Sequence, residues 1–337
     1  MSVRNSLILL LFLVLQSLAR AESPLLTILI WEEYISPDTL AQFERRHGAR
    51  VAQINYTSEA EIEPLLTEHI DQIDLLVANT ASLEDFRERG LLARLQRDEL
   101  PNTRHIHNRW QTDDRYVVPY MWGTTGIGWR TDLTRRPASW AALFELAAAN
   151  PGKVGLIADP DEYLLAAHFA SGNERDFQSV EEVTAAAAFL TPQWDNFVLV
   201  GSDVTETNPL LSGELIATQT WNGDIAFLRD NHNDKLDFHT PEAGCMIWQD
   251  SFALSNRSEN VELAHLFLNF INNRAVAAAN AEWTGFASSN PISLLAASNE
   301  YLNDPIIRPS FEGLEHCQFY QPYPAAIREA IQAHAME

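Results

Sequence analysis

The apolar positions of this chain alternate between two spacings, one fit for strands and one for helices. Leu25-Leu-Thr-Ile-Leu-Ile is a continuous apolar run with a β-branched bias, the pattern of a strand covered on both faces. It ends at Trp31-Glu32-Glu33-Tyr34. Ser36-Pro37-Asp38 then offers an N-cap and a proline for the first helical position. The helix it predicts turns Leu40 and Phe43 inward and stops at Gly48. Val51 to Tyr56 predicts a second strand, and Ser58-x-x-Glu61 a capping box that opens another helix. A third strand follows from Ile73, then a helix capped by Ser82 and closed at Gly90. Strand, helix and strand in alternation, joined by short loops, predict an α/β fold with a parallel sheet.

The second half repeats the alternation with different residues. Ser139-Trp140 opens an Ala-rich helix that stops at Pro151-Gly152, and Val154 to Ala158 reads as a strand. Ser179 to Leu190 predicts a helix closed by Pro192. Leu215 to Trp221 and Met246 to Leu254 predict two more strands. Glu259 to Asn272 is amphipathic, with Val261, Leu263, Ala264, Phe267, Leu268 and Ile271 on one stripe. A last helix is expected from about Pro324 to Ala335. No fixed-period repeat and no low-complexity linker occurs, so two interlocked lobes are expected rather than two domains on a tether.

The N-terminus departs from this pattern. Arg4, the nine-residue apolar run Leu7 to Leu15 and the small-x-small triplet Ala19-Arg20-Ala21 read as a Sec signal peptide over residues 1–21. The run is too short to span a bilayer, which takes about 20 residues. No cysteine follows the cleavage site, so no lipid anchor is expected, and the mature chain is expected to be soluble and periplasmic. The formal net charge is −23. That balance disfavours nucleic acid and anionic lipid as partners and allows a cationic one. The even pair Cys245 and Cys317 permits one disulfide in an exported chain; two buried thiols are the alternative.

Catalytic signatures are missing. Gly126-Ile-Gly128 lacks the third glycine of a dinucleotide loop, and no P-loop, nucleophile elbow or zinc-protease motif is present. His105-x-His107 reads as an exposed loop, and Glu262-x-x-His265 as a solvated helix face. No catalytic residue, metal site or cofactor is therefore expected. What is present is a set of tryptophans beside acids at strand ends: Trp31 with Glu33 and Tyr34, Trp221 with Asp224, and Trp248 with Asp250. In parallel α/β sheets ligands bind beyond the carboxyl ends of strands. An indole face attracts a cation, and a carboxylate supplies a charge-assisted hydrogen bond. A linear di- or triamine requires that combination: flat walls for its methylenes and an acid at each ammonium.

At these same residues the chain resembles the periplasmic spermidine/putrescine-binding proteins of ABC transporters. The likeness is carried by Trp31-Glu-Glu-Tyr-Ile-Ser-Pro-Asp-Thr, Pro119-Tyr-Met-Trp-Gly-Thr-Thr-Gly-Ile-Gly, Trp221-Asn-Gly-Asp and Trp248-Gln-Asp-Ser-Phe-Ala. The resemblance implies a type II periplasmic binding protein fold, two α/β lobes with a crossover hinge. Lobe 1 would hold residues 22–129 plus about 249–300, and lobe 2 about 130–248 plus 301–337. It implies a slot walled by Trp31, Trp221 and Trp248, lined by Tyr34 and Asn79, with Glu33, Glu162, Asp224 and Asp250 as ammonium partners. Glu32 and Arg308 depart from the pattern and are expected to modify the mouth. The implied partners are a polyamine and an ABC permease, or, as in sensing relatives, a membrane signalling receptor. The chain is expected to act as a monomer and not as an enzyme.

Overall fold

In a computed structural model, which describes residues 23–106, 113 and 115–336, one mixed twelve-stranded sheet organises the chain. Residues 1–22, on which the expected signal peptide falls, and His107 lie outside the described residues. Strands β1 (Leu25–Trp31), β2 (Arg50–Tyr56) and β3 (Leu75–Asn79) run parallel, with β1 central. Helix α1 (Pro37–His47) links the first two. It ends where Gly48 adopts φ 63°, a left-handed turn that only glycine takes without cost, and the Gly48 N–H closes on the Glu44 carbonyl. Helix α2 (Ile62–His69) precedes β3, and α3 (Thr80–Glu88) follows it.

Two long strands then cross the molecule. β5 (Val117–Arg130) follows the two-residue β4 (Leu92–Ala93). Its first half pairs antiparallel with β10 (Cys245–Ser255), and its second half pairs with β8 (Ala217–Trp221) and β9 (Leu236–His239). β10 also pairs antiparallel with β3, placing Asp250 opposite Asn79. Beyond β8 lie the parallel strands β6 (Val154–Ile157) and β7 (Phe197–Val200). Helices α4 (Trp140–Ala149), α5 (Pro160–Ala170) and α6 (Val180–Leu190) cover this region. α7 (Asn222–Asn231) continues directly from β8, and α8 (Val261–Ile271) and α9 (Arg274–Thr284) follow β10. The short strand β12 (Cys317–Phe319) and α10 (Ala325–Ala333) end the chain.

Two hydrophobic cores result. One gathers Leu29, Phe43, Val118, Phe252, Phe267 and the Tyr301–Ile307 segment; the other gathers Ile127, Trp140, Leu156, Leu164, Met246 and Ile331. β5 and β10 contribute to both, so the two sheet regions share their central strands. The Cys245–Cys317 disulfide joins β10 to β12, with Cα atoms 4.5 Å apart.

Several local expectations need correction. The Pro119–Gly128 motif lies wholly within β5, a strand that its glycines and mixed polarity concealed. Ser36 precedes α1 without a side-chain cap; its backbone N–H donates instead to Asn280. Ser58 and Glu61 meet side chain to side chain at 3.0 Å, and no reciprocal capping box forms. The cap of α3 is Asn79, whose Oδ1 accepts from the Ser82 N–H, not Ser82 itself. His265 is buried, accepts from the Gln96 N–H at 2.8 Å, and is no solvated face.

Candidate ligand-binding site

The carboxyl ends of β1, β3, β6 and β8 converge on one cavity with an empty volume of about 950 Å³, open mouth included. Trp31, Glu33, Tyr34, Asn79, Glu162, Trp221, Asp224, Trp248 and Asp250 all line it, as does Glu32. Arg308 does not; its guanidinium turns to the Leu302 carbonyl.

Aromatic rings form the walls. Trp31 ends β1 and packs on Tyr56 at 4.4 Å between centroids and on the edge of Trp221 at 5.4 Å. Trp248 meets Phe286 edge-on at 5.0 Å, and Phe286 also meets Tyr34. Trp248 can lie flat against β5 because residue 123 is glycine. A Cβ there would stand 2.5 Å from the indole. The chain turns sharply after β1: Glu33 holds φ 52°, the only non-glycine residue with positive φ among the described residues. Such a conformation costs about 1–2 kcal/mol and marks a constrained turn. The Glu32 N–H donating to the Tyr56 carbonyl helps to hold it.

The acids come from separate elements. Asp250 sits on β10 with 5 % of its surface exposed, and Asp224 in the first turn of α7 with 6 %. Ser202 donates to Asp224 at 3.1 Å. Asn222, fully buried, fixes the start of α7 by accepting from the Thr124 N–H and donating to the Ile306 carbonyl. Glu162, in the first turn of α5, accepts from Thr125 at 3.1 Å and from the Trp221 indole at 3.3 Å.

Three further acids line the same cavity: Glu59, Asp159 and Asp161. Asp159 caps α5 through the Asp161 N–H, Tyr320 donates to Asp161 at 2.8 Å, and Ser82 donates to Glu59 at 3.0 Å. Sequence reasoning missed these three, together with Ser202, Phe286 and Tyr320. Asp159 and Asp161 precede the recognised Glu162 and closely follow β6, so the strand-end rule applied to β6 would have found them.

Among the described residues, no lysine, arginine or histidine lines this cavity. Burial therefore pushes the carboxyl groups of Asp224, Asp250 and Glu162 up to about 7, and that of Asp159 up to about 8 with help from Asp161 and Glu162. Glu59 is also raised well above its usual value, first by burial and then by Asp159 and Asp250. Ser202, Thr125 and the neighbours Tyr34 and Trp31 of Asp250 offset part of this cost. One donor remains unused: the Trp248 indole N–H is enclosed without a hydrogen-bond partner. A buried carboxylate needs hydrogen-bond donors or a paired cation to stay charged, and the few donors here leave these groups raised.

A cleft lined by tryptophans and acids at strand ends has the form of a ligand-binding site. The chain belongs to the bacterial extracellular solute-binding proteins, whose family model matches residues 38–309. It is 27% identical over 304 residues to the spermidine/putrescine-binding periplasmic protein of Escherichia coli, covering 88% of this chain and 86% of that one. It is 27% identical over 272 residues to the norspermidine sensor of Vibrio cholerae, covering 79% and 75%. Among solved structures, the spermidine/putrescine ABC transporter substrate-binding protein PotD of Streptococcus pneumoniae superposes with a TM-score of 0.75 at 19% identity, covering 93% of this chain and 97% of that one. The fold is thus the type II periplasmic binding protein fold.

Proposed function

We propose that this chain is a periplasmic polyamine-binding protein that captures a di- or triamine in the cavity and delivers it to an ABC importer. The observation that carries the reading is the set of enclosed carboxylates among tryptophan walls with no cationic side chain to neutralise them. Linear polyamines supply the missing charges in a row, and their methylenes suit the indole faces. The names of the Escherichia coli and Streptococcus pneumoniae relatives agree with this chemistry.

In this reading Trp31, Trp221 and Trp248 hold the methylene chain, and Asp250, Asp224 and Glu162 pair with ammoniums. Glu33 stands at the rim with Glu32, and the two lobes close over the ligand by bending at β5 and β10. Residues 1–21 direct export and are removed, and the mature protein works as a monomer. Calorimetry on protein stripped of co-purified ligand tests the reading, with putrescine, cadaverine, spermidine, norspermidine and spermine as titrants. Binding of at least one is expected; binding of none sinks it.

The likeness to the norspermidine sensor favours a second reading, in which the loaded protein docks on a membrane signalling receptor. The ligand chemistry is shared, and only the partner differs. Genes for a permease and an ATPase beside this one support delivery; a gene for a membrane signalling protein supports sensing.

A further inference from the structure

Six enclosed acids are more than a diamine can neutralise. Their arrangement shows where the surplus lies. Asp224 faces Ser202 and, among charged neighbours, feels Asp203; Asp159, Asp161 and Glu162 form a second group at the start of α5. Glu59 lines the same cavity as Asp159, Asp161 and Asp250, and their like charges act on it. It enters from the turn Glu59–Glu61 after β2, and the Ser82 hydroxyl at the start of α3 fixes its carboxylate. The Tyr34 side chain, only 4 % exposed, lines the same cavity beside Asp250.

We infer that Glu59 is the residue that sets ligand charge, pairing with an additional nitrogen so that the cavity prefers a triamine to a diamine. The inference rests on the polyamine reading and deepens it. A diamine places a cation at two of the acid groups and leaves Glu59 buried beside two like charges. A triamine adds a cation where Glu59, Asp159 and Asp250 repel one another, turning that repulsion into attraction. Ser82 is then a positioning residue, since it touches Glu59 and does not itself line the cavity.

The experiment is calorimetry of putrescine and spermidine against wild type, Glu59→Gln and Ser82→Ala, with melting curves to show that each variant folds. Glu59→Gln is expected to lower spermidine affinity at least tenfold and putrescine affinity by less than threefold. Ser82→Ala, which leaves the carboxylate present, is expected to shift the same ratio in the same direction by a smaller factor. Equal losses for both ligands, or no loss for either, overturn the role of Glu59 while leaving polyamine binding intact. Failure of wild type to bind either amine, or any longer one, overturns the polyamine reading itself. Should Glu59→Gln not fold, an unchanged ratio in Ser82→Ala overturns the inference.

Discussion

Asp74 and Asp250 are buried aspartates at opposite ends of the same pair of strands. Asp74 precedes β3, is 3 % exposed, and accepts from the Thr27 N–H, the Ser258 hydroxyl and the Asn260 amide. Asp250 lies opposite Asn79 at the far end of β3 and is 5 % exposed. Its side-chain donors are Tyr34 and Trp31, and burial pushes its carboxyl up to about 7. On the surface a third solution appears: Arg115 holds the Asp113 carboxyl down to about 2. The protein has the means to satisfy a carboxylate from within. At one end of the sheet it uses them, and at the other it leaves the charge for something that arrives from outside.

That contrast can be broken by measurement. Asp74→Ala leaves several donors unsatisfied and is expected to cost on the order of 2 kcal/mol or more of stability in denaturant unfolding. Its ligand affinity is expected to stay close to wild type. Asp250→Asn should do the reverse: little loss of stability, and at least a tenfold loss of polyamine affinity, about 1.4 kcal/mol. Trp248→Ala is expected to lose at least as much. If Asp74→Ala weakens binding as strongly as Asp250→Asn, the two ends are not functionally distinct.

Gly123→Ala sharpens the comparison from the wall side. Its methyl would stand 2.4 Å from Asn222 Oδ1 and 2.5 Å from the Trp248 indole, so that both must shift. A loss on the order of 1 kcal/mol in binding is expected, the usual scale of overpacking.

The smallest expected effect is that of pH. Asp224, Asp250 and Glu162 hold their protons to about pH 7 in the empty fold, well above the ordinary carboxylate value near 4. The folded state therefore binds more protons than the unfolded state between those limits, and ligand-free stability falls as pH rises through about 7. A cationic ligand binds the ionised acids, so its stabilisation runs the other way. The rise in melting temperature on adding spermidine is expected to be larger at pH 8 than at pH 5.5. A larger rise at pH 5.5 contradicts the assignment.

Much of this was legible in the sequence, and the failures have a pattern. Period and caps placed β1, α1, β2 and the helices opened by Ser139 and Ser179, because local chemistry decides those elements. The tryptophan–acid pairs pointed to a cation before any geometry was known. β5 escaped because Gly123, Gly126 and Gly128 are there to admit Trp248, Phe238 and Ile225 from neighbouring elements, a need that no local pattern reveals. Glu59 and Asp161 escaped because each sits in a turn or first helical turn, where an acid has an ordinary local explanation. Arg308 was expected at the mouth from alignment alone, and only the packing of its segment shows that it turns away.

The shared cavity also has a consequence for synthesis and export. Its parts arrive in the order Trp31, Glu59, Asn79, Glu162, Asp224, Asp250 and lastly Tyr320. While the chain is still emerging, each acid is solvated and none repels another. The crowded carboxylates come together only when β10 slots between β3 and β5 and the Tyr320 segment is stapled beside it through Cys317. The strand that brings Asp250 to the other acids also supplies Phe252 and Met246 to the two cores, so the least favourable feature of the molecule is assembled together with the packing that holds it.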